Sequence, residues 1–241
     1  VDYICSWPQK HQRNVLCILR NIFRYFERED LYFAVAGIHP YHAKRIVPMF
    51  TEDEVAKIKE VLSSSCVSHR DAAVFLLGLT TGMRAVDVIN LRLSDIDWKN
   101  ETIFFQQSKT GNAVCLPLTI DIGNSIYRYI LEERPKVNDD HVFLRSQAPF
   151  MPLSGHSACY YIVSNILQRA GIQKDDRIWG MCMLRHNAAS TMVQNSIPLA
   201  TIAAILGHAG TRTTDIYITA DINNLKECVL PLVGISRKVN P

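Results

Sequence analysis

A mainly α-helical protein with one small antiparallel β-sheet is the fold class that the sequence predicts. Apolar residues recur three and four apart through most of the chain, which is the period of a helix that buries one face. Short β-like runs occur as one neighbouring pair, residues 102–108 and 113–118. Between them stands Lys109-Thr110-Gly111-Asn112, a hairpin turn in which Gly111 and Asn112 tolerate positive φ.

Taken in order, residues 4–27 read as a helix, with Val15, Leu16, Ile18, Leu19, Ile22, Phe23 and Phe26 interleaved with arginines. It is more apolar than a lone helix should be, so it is expected to pack on something. Residues 37–50 hold Gly37, Pro40, Pro48, Lys44 and Arg45 and few periodic apolar positions, which reads as a basic linker. Thr51 with Glu54 fits a capping box at the start of the next helix. Residues 69–81 form a second, more apolar helix that Thr80-Thr81-Gly82 interrupts, and Met83 to Leu91 reads as a short helix. After the hairpin, residues 120–134 and 154–170 are helical. Leu184, Ala188, Thr191 and Met192 then place Arg185 on an amphipathic helix. Pro198 suits the first turn of a last helix, and Gly207 suits its stop.

Composition narrows the function classes. The 241 residues hold one large domain or two small ones, and a net charge of +3 permits a polyanionic partner without demanding one. The seven cysteines include no CxxC pair, which argues against a zinc ribbon and for free thiols in a reducing cytoplasm. No apolar run is long enough to span a bilayer. The chain begins at Val1 rather than Met, so a piece of a longer protein is expected.

Chemistry-bearing residues gather towards the C-terminal half. Arg185 stands beside His186, Leu206-Gly207-His208 follows, and Tyr217 comes after it. A turn at Gly207 can aim His208 at the same point as Arg185. Upstream, Thr81-Gly82-Met83-Arg84-Ala85-Val86-Asp87 supplies a second arginine after a glycine turn.

This ordered set resembles the tyrosine recombinases, also called the phage integrase family. Their signature is a TGxRxxE box, a lysine on a hairpin, a His-x-x-Arg-His box, Leu-Gly-His and a tyrosine. Here Asp87 replaces the Glu of the first box and Cys182 the first His of the second. The resemblance covers Leu79 to Tyr217. It implies the catalytic-domain fold over residues 51–241, with residues 1–36 as the tail of a helical DNA clamp. It implies Arg84, Lys109, Arg185, His208 and Tyr217 as catalytic residues, and site-specific recombination of double-stranded DNA by an integrase or transposase of a mobile element. A homo-oligomer, a tetramer on two DNA sites, is implied, with the apolar segment from Leu225 to Val233 docked in a neighbouring protomer. Rivals are a recombinase that resolves chromosome dimers, and a DNA-binding protein of this scaffold with weakened catalysis.

The roles follow from physical chemistry. Breaking a phosphodiester without a metal or other cofactor requires charge on the non-bridging oxygens to be stabilised. Arginine's planar fork donates paired hydrogen bonds and stays charged, so Arg84 and Arg185 suit this task. Tyr217 is the nucleophile, His208 a donor to the phosphate and Lys109 the acid for the departing 5′ oxygen. Asp87 and His186 are expected to support these groups from behind, His186 as a buried, hydrogen-bonded partner. Singly, each residue has a plainer reading: a solvated Arg84 or Lys109, a capping His208, a half-buried Tyr217. Independent plain readings do not produce this order and spacing. Cys182, between Met181 and Met183 and next to Leu184, is expected to be a buried structural thiol. Ser154, His156 and Ser157 at a helix start, and Arg212, are further candidates for contact with DNA phosphates.

Overall fold

The computed structural model describes residues 9–38 and 49–207, Asp176 excepted. The chain divides into two compact units, Val1–Arg45 and Ile46–Pro241. In the first, helix α1 (Gln9–Tyr25) and helix α2 (Glu29–Ala36) are joined by a turn in which Glu27 has φ 53°. Helix α2 was not expected from the sequence. After its acidic first turn it is apolar nearly all round, so it carries no helical period. Arg20 reaches from α1 and donates to the carbonyls of Val35, Ala36 and Ile38 at 2.9, 3.2 and 2.6 Å. It thereby satisfies acceptors that a helix end leaves without donors. Leu16 and Val35 are buried, while Ile18, Ile22, Tyr25, Phe26 and Phe33 are exposed.

The second unit begins with α3 (Glu52–Ser63). Its capping box is reciprocal: Glu54 N–H donates to Thr51 Oγ1 at 3.2 Å and Thr51 N–H to Glu54 Oε2 at 2.9 Å. Helix α4 (His69–Leu76) follows, and Glu133 accepts from its first amides, His69 and Arg70, at 2.7 and 3.2 Å. An anion there also suits the positive end of the helix dipole. The apolar run expected as one helix to residue 81 closes instead with a wider, π-helical turn, Leu77–Thr81. Thr80 and Thr81 hydroxyls donate back to the carbonyls of Leu76 and Leu77, which competes with the regular ladder.

Helix α5 (Ala85–Asn90) is shorter than expected because Arg84 keeps an extended backbone, φ −74° and ψ 149°. The sheet has three antiparallel strands, β1 (Ile96–Asp97), β2 (Thr102–Gln106) and β3 (Ala113–Pro117), in the order β1-β2-β3. At two residues β1 is too short to show alternation, so the sequence did not reveal it. In the hairpin Gly111 alone takes positive φ, 71°, and Asn112 does not. Helix α6 (Ile120–Arg128) also ends in a π-helical turn, Tyr129–Glu133. Helices α7 (Gly155–Arg169), α8 (Met181–Gln194) and α9 (Leu199–Leu206) complete the described unit.

Helix α4 lies at the centre and packs on α6 and α7, and its π-helical turn packs on α8. Phe75, Leu77, Ile103, Ile122, Ile126, Ile166, Leu167 and Leu184 are buried in one cluster. A smaller cluster of Ala189, Val193, Ile202 and Leu206 joins α8 to α9. No helix among the described residues is long and apolar enough to cross a membrane.

One ion pair ties the start of α3 to the loop before α8. Arg177 donates to both oxygens of Glu54, at 2.7 and 3.1 Å. That hydrogen bond holds the Glu54 carboxyl below its ordinary range, against the opposing effect of burial. A depressed carboxyl contributes stability that is present above the ordinary Glu range and is lost as pH falls through the lowered value. Arg177→Ala is expected to cost about 1–3 kcal/mol at neutral pH and less as pH falls through that window. Urea melts of both proteins at neutral and acid pH check this. A cost that does not change with pH would mean that Arg177 acts through packing alone.

Candidate functional site

The site is built where three separated segments meet at the end of α9. The first is the turn after α4. Gly82 takes left-handed backbone, φ 67°, and a Cβ there would stand 2.8 Å from Leu206 Cδ2. The turn delivers Arg84, whose side chain is 18% exposed. Arg84 Nη1 donates to Gln107 Oε1 at 2.6 Å and Nη2 to the Gly207 carbonyl at 3.4 Å.

The second segment is α8. Arg185, half-buried, donates from Nη1 to the Gly82 carbonyl and from Nη2 to the Leu206 carbonyl, both at 2.7 Å. The two arginines therefore reach neighbouring carbonyls of one turn. Helix C-termini carry unsatisfied carbonyls and a partial negative charge, so they tolerate two cations that would otherwise repel.

The third segment is the hairpin. Ser108 N–H donates to Asp87 Oδ1 at 2.9 Å, and Asn90 Nδ2 donates to Ser108 Oγ at 3.2 Å. Both partners lie on α5, Asp87 about one turn and Asn90 nearly two turns after Arg84. Lys109 follows at the exposed tip. Asp87 is buried, with Oδ2 4.0 Å from Arg84 Nη1, so its charge faces the arginine while its other oxygen anchors the hairpin.

A family model described as the phage integrase family matches residues 48–224. The chain belongs to that family. A Sinorhizobium fredii protein named as an integrase/recombinase, y4rF, is 30% identical over 208 residues, which are 86% of this chain and 49% of the relative. The chain thus spans about half the length of that relative. The tyrosine recombinase XerA of Pyrococcus furiosus is 26% identical over 219 residues, 90% of this chain and 73% of that protein. Among solved structures, the XerH site-specific recombinase bound to its palindromic difH substrate, a post-cleavage complex, superposes with a TM-score of 0.65. It is 25% identical, and the match covers 80% of this chain and 55% of that one. The mainly α fold with a small antiparallel sheet, a tyrosine recombinase catalytic domain, is the fold observed.

Of the family's signature residues, the structure brings Arg84 and Arg185 to one turn and fastens the Lys109 hairpin beside Arg84. His208, Arg212, Tyr217 and the segment from Leu225 to Val233 lie outside the described residues. His186 is half-buried, and burial first, then the charge of Arg185, pulls its imidazole below the ordinary range. That favours the neutral ring at physiological pH.

Cys182 corrects an expectation. It is exposed, not a core thiol, although Met181, Met183 and Leu184 around it are buried. Sequence neighbours on a helix point in different directions, whereas residues three and four apart share a face. Cys182 therefore belongs with Arg185 and His186, one turn before them. Among the described residues the buried thiol is Cys159, pushed up to about 11 by its burial. Ser154, His156 and Ser157 are exposed at the start of α7, where Ser154 makes no side-chain cap.

Two polar residues escaped the sequence reading. Asn187 accepts from the Phe50 amide at 3.0 Å and fixes the chain's entry to α3 on α8. Gln107 is 3% exposed and joins the Arg84 turn and the hairpin to the end of α9. Its signal was available: a polar residue just past β2 that continues the inward alternation of Ile103 and Phe105.

Gly207 closes the site. It has φ 61°, and a Cβ on it would lie 2.0 Å from Gln107 Oε1. Gly207→Ala is expected to destabilise the protein by more than the roughly 1–2 kcal/mol that left-handed backbone alone costs an L-residue. Denaturant unfolding measures it. A variant as stable as the parent would show that the turn and Gln107 separate without cost.

Proposed function

We propose that the protein is a tyrosine-class site-specific DNA recombinase, the integrase or transposase of a mobile element. The observation that carries this reading is the convergence of Arg84 and Arg185 on the Leu206–Gly207 turn, with the Lys109 hairpin fastened to the same corner. That corner precedes His208 in the chain.

In this reading the scissile phosphate of double-stranded DNA sits against the two guanidiniums. They neutralise its non-bridging oxygens as charge accumulates on the pentavalent phosphorus. The Tyr217 hydroxyl gives up its proton to solvent as its oxygen attacks phosphorus and forms a 3′-phosphotyrosyl bond. The bond to the 5′ oxygen breaks, and Lys109 gives that oxygen a proton. His208 donates to a phosphate oxygen. Attack by a 5′ hydroxyl from the partner duplex reverses the step and releases Tyr217. The bond energy is retained, so the scheme needs neither metal nor nucleotide. Ser154, His156, Ser157 and Arg212 contact the DNA backbone. Residues 1–36 form the tail of a clamp, joined by the 37–50 linker to the catalytic domain at 51–241. Two cut sites require a tetramer, in which the segment from Leu225 to Val233 docks on a neighbouring protomer. The enzyme works on DNA in the cytoplasm, at the nucleoid.

A nicked half-site substrate tests the reading, because departure of the short strand traps any covalent adduct. Tyr217→Phe is expected to abolish the adduct while DNA affinity stays unchanged. Undiminished adduct from this variant would mean another nucleophile and would end the assignment.

Cys182 generates a second expectation. Thiol S–H is a weak donor, and an exposed position accepts a larger ring. Cys182→His should leave the thermal midpoint unchanged, within about 0.5 kcal/mol of stability. Single-turnover cleavage should rise, since one donor to a developing oxyanion is worth about 2–4 kcal/mol. An unchanged rate would place this position out of reach of the phosphate.

A further inference from the structure

Gln107 is buried in a position where an unsatisfied amide would be costly, and its amide atoms have partners from three segments. Oε1 accepts from Arg84 Nη1 at 2.6 Å and from Thr110 Oγ1 at 2.8 Å, while Nε2 donates to the Leu206 carbonyl at 3.1 Å. Leu206 offers only an acceptor and Arg84 only donors. The amide can therefore sit one way round, with its oxygen on the arginine. Its backbone forms the neck of the hairpin: Gln107 N–H donates to Asn112 O at 2.9 Å, and Gly111 N–H to Gln107 O at 2.8 Å.

The chemical type matters as much as the position. An amide oxygen holds a guanidinium by one edge without cancelling its charge. A carboxylate at the same place would take the charge that the phosphate needs. Asp87, the neighbouring carboxylate, stands farther off at 4.0 Å and gives its nearer bond to the hairpin.

We infer that Gln107 is a positioning residue: it sets the Arg84 guanidinium towards the scissile phosphate and locks the Lys109 hairpin and the Leu206–Gly207 turn around it. This rests on the recombinase reading above. No part of it requires Gln107 to touch DNA.

The test compares the chain with its Gln107→Leu variant on two nicked half-sites at saturating DNA. One carries an ordinary scissile phosphate, the other a methylphosphonate, which has no negative charge for Arg84 to neutralise. On the phosphate, single-turnover adduct formation by the variant is expected to fall about 100-fold relative to wild type, the scale of a misplacement near 1 Å. DNA affinity should change little, and the thermal midpoint should fall while a cooperative folded transition remains, because the Arg84 and Thr110 donors lose their acceptor. On the methylphosphonate the loss, again relative to wild type, should be smaller by a factor of about ten or more.

Equal losses on both substrates, or no loss on either, would overturn the inference. Gln107→Glu is the second variant. It keeps the shape and an acceptor but adds a charge that competes for Arg84, so the same dependence on substrate charge is expected. Absence of a folded transition in both variants would show that the residue holds the fold rather than the arginine, and would overturn it as well. Absence of adduct from the wild type on the phosphate substrate is a different result. It would end the recombinase reading, and this inference with it.

Discussion

The last carbonyls of an α-helix have no donors within the helix, and at the end of α9 two consecutive ones are given to the site. Leu206 receives Arg185 and Gln107, and Gly207 receives Arg84. These bonds decide where both guanidiniums lie. They also decide where the chain turns immediately before His208. Like charges brought close would repel. Here the negative end of a helix dipole and the buried Asp87 carboxylate oppose that repulsion. The first unit uses the same device for structure alone, where Arg20 closes the end of α2.

Packing explains why this corner can be assembled so closely. Glycine at 82 and at 207 removes the Cβ atoms that would collide with Leu206 and Gln107. Helix α9 shares a small apolar cluster with α8, and its Ile205 packs on the large core around α4. The polar bonds from Arg84, Arg185 and Gln107 add to this attachment at the helix end. Chemistry and local stability rest on the same side chains.

In the proposed recombinase the arrangement would also bear on catalysis. An arginine has five N–H donors in a fixed fork. Arg84 is held at its two terminal nitrogens by Gln107 and Gly207, which fixes the plane of the fork before any substrate arrives. Electrostatic stabilisation is greatest when donors need not reorganise during the reaction. Asp87 serves this from behind: one carboxylate faces the arginine and anchors the hairpin that carries Lys109.

By itself the sequence determined every described helix but α2, the hairpin, the capping box at Thr51 and Glu54 and the two arginine boxes. Each of these is a local pattern: apolar residues at a fixed period, a glycine where φ turns positive, a motif read along the chain. Helix α2, strand β1 and the π-helical turns were not legible, because they are too short or too evenly apolar for a period to show. Cys182 was misread because its chain neighbours are buried, whereas a helix sets its accessibility by the residues one turn away. Gln107 was visible only as a polar residue in an apolar alternation. Its three partners, Arg84, Thr110 and Leu206, come from up to 99 residues away. Which carbonyl an arginine binds, and which amide holds it there, depends on contacts between segments distant in the chain. Only the tertiary structure decides these, because no local periodicity records them.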